Sequence, residues 1–214
     1  MRSRFDEQLA LLNKEMIEMG ALCEEVIALA SKALTEADPE LAQRVAPLSA
    51  DIDRKEREIE ALCLRLLLQQ QPVARDLRQI SAALKMITDL ERIGDQAEEI
   101  ADIIGFIDGH NPEDYVTLTE MAKAAIHMVT ESIDAYVKHD TILAEKVVDE
   151  DDIVDEYFLQ VKSKLIAKIA KDPDDGEYAL DLLMIAKYFE RIGDHATNIA
   201  EWVIFSVTGV HKEG

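Results

Sequence analysis

Two acidic motifs of identical spacing carry the chemistry that this sequence suggests. Glu91 and Asp95 stand four residues apart in the segment ERIGDQA, and Glu190 and Asp194 recur in ERIGDHA. Residues at this spacing lie on one face of an α-helix. An oxygen-only ligand set suits hard cations such as Mg²⁺, Ca²⁺ or Mn²⁺, and iron is also compatible. The duplicated motif therefore predicts two cation sites.

Each acidic motif extends into a longer stripe of polar side chains. At about 100° per residue, Glu98 and Asp102 fall on the same helix face as the first motif. Like charges four residues apart destabilise a helix by a few tenths of a kcal/mol, a cost that a bound cation would remove. A solvated acidic face is the alternative, and the duplication argues against it. The candidate metal ligands are Glu91, Asp95, Glu98, Asp102, Glu190, Asp194, Asn198 and Glu201.

Neighbouring residues add detail to this site. Gly94 and Gly193 lie within the motifs, where glycine costs about 1 kcal/mol relative to alanine in a helix. We expect a neighbouring backbone to approach there, although simple inheritance of the repeat is the alternative. Arg92 and Arg191 are expected to pair with acids of an adjacent helix, with phosphate capture as the alternative, and His195 to hydrogen-bond or face solvent. Further acids from the preceding helix of each half are Asp51, Asp53, Glu56, Asp149, Asp152, Asp155 and Glu156.

The elements that position these residues are all predicted to be α-helices. Asp38-Pro39, Asn111-Pro112 and Asp172-Pro173 each place a capping side chain before a proline, which suits the first helical position. His139-Asp140-Thr141 supplies another start, and Gln71-Pro72 marks a break. Apolar residues recur at intervals of three and four, without strand-like alternation. The predicted helices span 4–36, 39–70, 73–107, 113–138, 141–171 and 175–208.

The chain repeats itself. Asp38 and Asp140 are 102 residues apart, as are many similar residues around them, and the two acidic motifs are 99 residues apart. This predicts an all-α fold of two tandem three-helix bundles related by pseudo-two-fold symmetry, residues 1–108 and 109–214. Pro47 has no counterpart in the second half, where it meets Asp149, so we expect a kink in the first half only.

Composition excludes several classes of function. The formal net charge of −21 over 214 residues argues against nucleic-acid binding, which needs Lys and Arg, and against adsorption to anionic lipid. No apolar stretch is long enough to cross a bilayer. Cys23 and Cys63 fall on apolar helical stripes and read as buried, reduced thiols. We therefore expect a cytoplasmic protein that reaches membranes only through partners.

Together these motifs resemble the PhoU family of bacterial regulators of phosphate uptake and signalling, over essentially the whole chain. The matching segments are Met19-Gly20, Gln71-Pro72 with Asp76-Leu77-Arg78, both ERIGD segments, and Asn198-Ile199-Ala200-Glu201 through Phe205. The resemblance implies two three-helix bundles, a homodimer, and divalent or trivalent ions (Mg, Mn, Fe or Zn) on the bundle surface. It assigns the acidic pairs of both motifs as metal ligands. Glu99 and Asp102 are replaced by Asn198 and Glu201, which predicts unequal occupancy of the two sites.

The resemblance also implies a function. Family members act as adaptors between the ATPase subunit of the phosphate ABC transporter and a sensor histidine kinase, and they hold the phosphate-starvation response off. We expect a non-enzymatic regulator without catalytic residues, because no nucleophile–base pair or Gly-rich phosphate loop is present. The alternatives are a metal-free structural scaffold and a carboxylate-bridged di-metal enzyme in a helical bundle. The enzyme usually requires Glu-x-x-His, and no histidine here follows a glutamate by three residues.

Overall fold

The computed structural model describes residues 2–70, 72–107 and 112–210, and all regular structure within these ranges is helical. This confirms the predicted all-α class, and the helix bounds follow the predictions closely. A 3₁₀ turn, Pro173–Asp175, precedes the last helix. The α-helices are α1 (Arg2–Glu36), α2 (Pro39–Ala42), α3 (Val45–Gln70), α4 (Ala74–Ile104), α5 (Pro112–Lys138), α6 (Thr141–Lys171) and α7 (Gly176–Thr208).

The predicted caps explain where the helices start. The Asp38 carboxylate accepts hydrogen bonds from the backbone N–H groups of Glu40 and Leu41. Asp140 does the same for Ile142 and Leu143 at the equivalent place in the second half. These bonds satisfy amides that have no partner within the helix. The predicted cap at Asn111 and the break at Gln71 lie outside the described residues.

Pro47 does not kink a continuous helix, because it lies at the start of a separate one. The predicted helix 39–70 is interrupted, because α2 ends at Ala42 and α3 begins at Val45. Pro47 is thus the third residue of α3, where a missing backbone N–H removes no intrahelical hydrogen bond. The equivalent helix of the second half, α6, is continuous. The irregularity is confined to the first half, as predicted.

The helices pack as two related sets. Helices α1, α3 and α4 contact one another, as do α5, α6 and α7, and the sets meet along α1–α5 and α4–α7. One continuous apolar core runs through both sets. The predicted boundary near Gly109 lies outside the described residues. Because α4 and α7 carry the acidic motifs, the packing places the two motif helices side by side.

Cys23 and Cys63 are buried free thiols, as predicted, and burial raises the pKa of both, that of Cys63 to about 12. Among the described residues, no helix combines the length and apolar character that spanning a membrane requires.

Candidate metal centre

Glycine lets the motif helix of each half approach its neighbour. A Cβ atom on Gly94 would lie 3.1 Å from the Ile52 Cδ1 atom of α3, and one on Gly193 would lie 3.3 Å from Asp151 Oδ1 of α6. The helices approach closely at both glycines, but the nearest atoms belong to side chains, so the glycines make room for side chains and not for the predicted neighbouring backbone. This contact brings acids of α3 and α6 next to the two motifs.

The first acidic cluster combines α3 and α4. One carboxylate oxygen from each of Asp53, Glu91 and Asp95 lies within 4.8 Å of the others, and all three side chains are half-buried. Burial and the negative charge of Asp95 raise the pKa of Glu91. Burial, followed by the charges of Glu60 and Asp53, raises the pKa of Glu56 one turn away. These carboxylates repel one another in a partly desolvated site, which a cation would relieve.

The arginines of the motifs do not pair with adjacent helices as predicted. Arg92 contacts acids of its own helix, with 3.5 Å between its Nε and Glu91 Oε2 and 3.1 Å between its Nη1 and Asp95 Oδ2. The Arg191 guanidinium lies 6.0 Å from the centre of the Tyr188 ring, also on its own helix. Both arginines are exposed, and residues three apart on a helix, such as Arg92 and Asp95, are close enough for their side chains to meet.

The second acidic cluster combines α6 and α7. Burial and the charges of Asp194 and Asp155 raise the pKa of Asp151 to about 6. Burial and the charge of Glu190 likewise raise the pKa of Asp194. Asp155 and the two motif acids were predicted for this site, whereas Asp151 was missed. Its spacing of four residues from Asp155 was the available signal, since that spacing places both acids on one face of α6.

The two clusters differ in ways that follow from individual replacements. Asp151 stands where the first half has Ser49, and Phe158 stands where it has Glu56. Lys187, which replaces Thr88, pairs with Glu190 and lies 5.6 Å from the centre of the Phe158 ring. No three carboxylate oxygens of the second cluster come as close together as those of the first, although all of its acids are described. Lys187 is thus a partial counter-ion of the second cluster, as Arg92 is of the first.

The outer candidate ligands are not members of the two inner clusters, although two of them share a groove with Asp95. Glu98 and Asp102 line an acidic groove of about 340 Å³ together with Asp95. Asn198 donates a hydrogen bond to Asp89 of α4, and His195 contacts the same carboxylate, which confirms the predicted hydrogen-bonding role of His195. Glu201 is half-buried on α7. Of the remaining acids predicted from α3 and α6, Asp51 pairs with Arg54, while Asp149, Asp152 and Glu156 are exposed.

The residues present fit a hard cation. Both clusters offer several carboxylate oxygens from two helices, and burial first, then neighbouring carboxylates, raise the pKa values of Glu91, Asp151 and Asp194. Carboxylate oxygens are the donors that Mg²⁺, Mn²⁺ and similar ions prefer. The inner ligand sets that this geometry supports are Asp53, Glu56, Glu91 and Asp95, and Asp151, Asp155, Glu190 and Asp194.

Comparison with known proteins gives a consistent result. A family model described as PhoU domain matches residues 16–104 and again residues 118–203. A phosphate-specific transport system accessory protein PhoU homolog of Pseudomonas aeruginosa is 36% identical over 208 residues, which cover 96% of this chain and 86% of the relative. A homolog of the same description from Clostridium acetobutylicum is 35% identical over 210 residues, covering 97% and 96%.

Solved structures agree with these matches. The crystal structure of PhoU from Pseudomonas aeruginosa superposes with a TM-score of 0.90 at 36% identity, covering 96% of this chain and all of that one (100%). The phosphate transport system regulatory protein PhoU from Streptococcus pneumoniae also gives a TM-score of 0.90, at 26% identity over 98% of this chain and 100% of that one.

Proposed function

Because this chain belongs to the PhoU family, we propose that it is an accessory and regulatory protein of phosphate transport. The observation that carries the proposal is the match of the family model to both halves of the chain, residues 16–104 and 118–203. Relatives that share about a third of its residues over nearly the full chain bear names for this role. The chain is expected to act in the cytoplasm, where transporter and kinase expose their soluble domains.

The finer proposal is that the protein is an adaptor that holds the phosphate-starvation response off. It binds the ATPase subunit of the phosphate transporter and a sensor histidine kinase, and in phosphate-rich cells it favours the form of the kinase that silences the response. An adaptor shifts such an equilibrium only by binding the two kinase states with different affinity. A homodimer would offer two copies of each binding face.

A role without catalysis is supported by where the acids lie. Carboxylate-bridged di-metal enzymes of helical bundles place their ligands inside the core. Among the described residues, the buried polar side chains are serines, a threonine and Gln79, and no Asp or Glu is fully buried. The acidic clusters lie between neighbouring helices at the surface, half-buried in the first half and partly exposed in the second, which suits ions that stabilise a binding surface. We propose that divalent or trivalent ions, Mg, Mn, Fe or Zn, occupy these grooves.

The test is genetic. Deleting the gene should switch on phosphate-starvation reporters in phosphate-rich medium, and the intact gene should silence them again. Complementation with Asp95→Asn/Asp194→Asn tests whether the acidic clusters are needed, and Asp149→Asn/Asp152→Asn serves as a control, because these acids belong to neither inner ligand set and the change in charge is the same. Reporters that stay silent after deletion would refute the regulatory role. Affinity purification at high and low phosphate should capture the transporter ATPase and the kinase.

A further inference from the structure

We propose that His127, Glu131 and Glu150 form a site for a transition-metal ion, of which Zn²⁺ is the best fit. His127 and Glu131 lie on α5 and Glu150 lies on α6. Glu150 precedes Asp151 of the second acidic cluster, but its contacts are with α5 and its own helix, whereas Asp151 faces α7. The site is therefore separate from both acidic clusters, and it does not depend on the proposed function.

The geometry of the three donors suits a small ion. His127 Nε2 lies 3.5 Å from Glu131 Oε1 and 3.6 Å from Glu150 Oε1, and one donor atom of each residue lies within 4.8 Å of the others. Tetrahedral zinc bound to nitrogen and oxygen at about 2.0–2.2 Å separates its ligands by roughly 3.3–3.6 Å. Small side-chain adjustments would bring all three donors onto one ion and leave a fourth position for water.

The donor types separate this site from the acidic clusters. An imidazole nitrogen with two carboxylates suits Zn²⁺, and also Co²⁺ and Ni²⁺, better than Mg²⁺ or Ca²⁺, which prefer oxygen alone. The spacing of His127 and Glu131, four residues apart on one helix, places both donors on the same face of α5. Glu150 then completes the set from the facing helix.

Burial gives this cluster a need for a cation. The side chains of Glu131 and Glu150 are only 19% and 16% exposed, and Glu150 Oε2 is buried without a hydrogen-bond partner. Buried oxygens normally have a partner. The Glu150 oxygen that lies near His127 is Oε1, so a bound ion gives Oε2 a partner when the carboxylate binds it through both oxygens.

Lys146 is a competitor for the site. Its Nζ lies 2.8 Å from Glu131 Oε2 and 3.1 Å from Glu150 Oε1, so an ammonium already holds part of the position that an ion would take. Its side chain is 52% exposed, which leaves it free to swing into solvent when an ion binds. Removing this ammonium should therefore strengthen metal binding, whereas a simple ion-pair network would only lose stability.

The cluster is not a by-product of the duplication. At the corresponding positions, 102 residues earlier, the first half has Glu25, Leu29 and Leu48 in place of His127, Glu131 and Glu150. Leu29 and Leu48 are partly buried and pack against the core. The second half thus has two glutamates at positions where the first half has leucine. The duplication therefore does not explain why these glutamates lie beside His127, whereas a metal site would.

The experiment measures Zn²⁺ binding to metal-free full-length protein by calorimetry, in an Asp95→Asn/Asp194→Asn background that weakens the acidic clusters. His127→Gln should lower the affinity of one equivalent by at least tenfold, and Lys146→Met should raise it. Glu145→Gln, an exposed acid of α6, should change nothing. One equivalent of Zn²⁺ should also shift the ring resonances of His127 in the NMR spectrum.

Two results would overturn the proposal. Equal Zn²⁺ affinity with and without the His127→Gln substitution would assign all uptake to the acidic clusters. If the ring resonances of His127 do not shift when Zn²⁺ is added to the Asp95→Asn/Asp194→Asn protein, the imidazole is excluded as a ligand without any substitution at the site itself. Unchanged affinity in Lys146→Met would overturn the competing role assigned to its ammonium. Far-UV circular dichroism of each variant checks that the helices are intact.

Discussion

His195 of α7 contacts Asp89 of α4, with 2.9 Å between the imidazole Nδ1 and Oδ1 of the carboxylate. Asn198 donates a hydrogen bond to the same oxygen over 3.1 Å. A related contact joins the residues at the equivalent positions of the repeat, where the Tyr188 hydroxyl of α7 donates to Glu99 Oε2 of α4 over 3.3 Å. Here the acceptor lies at the position equivalent to Asn198, and the donor at the position equivalent to Asp89. Asp89 corresponds to Tyr188, and Asn198 corresponds to Glu99. The pseudo-two-fold relation seen in the sequence therefore governs the contact between the halves.

The Asp89 contact should stabilise the fold more than its counterpart does. Asp89→Ala leaves the half-buried His195 and the exposed Asn198 without their shared acceptor, so we expect it to lower the free energy of unfolding by about 1–2 kcal/mol. Tyr188→Phe removes one longer hydrogen bond to an exposed acid and should cost less than about 1 kcal/mol. Chemical denaturation measures both. A double-mutant cycle of Asp89→Ala with His195→Ala should show coupling, and additive effects would contradict a direct interaction.

Ala37 should be improved by glycine. It follows α1 with a φ of 49°, in the left-handed region, and His139 has the same conformation after α5. The next residue, Asp38, donates its backbone N–H to the Ala33 carbonyl over 3.0 Å, so this conformation closes the end of the helix. A side chain at a left-handed residue costs roughly 1 kcal/mol. Ala37→Gly should therefore raise the free energy of unfolding by about 0.5–1 kcal/mol.

The control for this prediction is the same substitution in a helix. Ala28 is an exposed residue in the middle of α1, and Ala28→Gly should lower the free energy of unfolding by about 1 kcal/mol. Opposite signs in thermal or chemical unfolding are the expected result. A loss of stability in both variants would show that the left-handed conformation at Ala37 carries no cost.

Gly94 should not tolerate a larger side chain. A Cβ atom there would already lie 3.1 Å from Ile52 Cδ1, in a fully buried contact between α3 and α4. Gly94→Val should therefore lower the free energy of unfolding by about 1–3 kcal/mol through overpacking. Gly176 at the start of α7 has open space around its Cβ position, and Gly176→Ala should stabilise by about 0.4–1 kcal/mol. Equal effects at the two glycines would contradict the close approach.

Local rules in the sequence predicted most of the fold. Asp38 and Asp140 cap helices as expected, because a cap depends only on residues two and three positions away. The alignment of Glu91 with Asp95 follows from helix periodicity alone. These features needed no knowledge of how the helices pack against one another.

The parts of the site that were missed depend on packing between helices. Asp151 belongs to the second cluster because it lies on the face of α6 that packs against α7. The periodicity of α6 shows which residues share a face, but not which face turns toward α7. Lys187, three residues before Glu190, partly neutralises the negative charge of the same cluster. Its counterpart in the first half is the uncharged Thr88, so the repeat gives no indication of a charge there. Arg92 was expected to pair with an acid of another helix, but its flexible side chain contacts Glu91 and Asp95 of its own helix. Sequence therefore predicts the motif, whereas the completed ligand sets require the structure.

Asp151 gives the metal-free protein a defined pH dependence. Its pKa is raised from 3.8 to about 6 by burial and by Asp194 and Asp155, so the folded state binds more protons than the unfolded state between these values. The contribution of this group to the free energy of unfolding therefore falls as pH rises from about 4 to about 6, and stays low above that range. Asp151→Asn should stabilise the metal-free protein above pH ~6, and Asp149→Asn, an exposed control, should have little effect.

A bound cation should reverse this penalty. A divalent ion that binds the folded state raises the melting temperature by mass action, and a chelator lowers it again. The increase with Mg²⁺ or Mn²⁺ should be larger for the native sequence than for Asp151→Asn, because the substitution removes both the repulsion and a ligand. Melting curves with chelator and with added ion, measured on both proteins, test this directly. Identical curves for the native protein in both conditions would leave the acidic clusters as solvated surface.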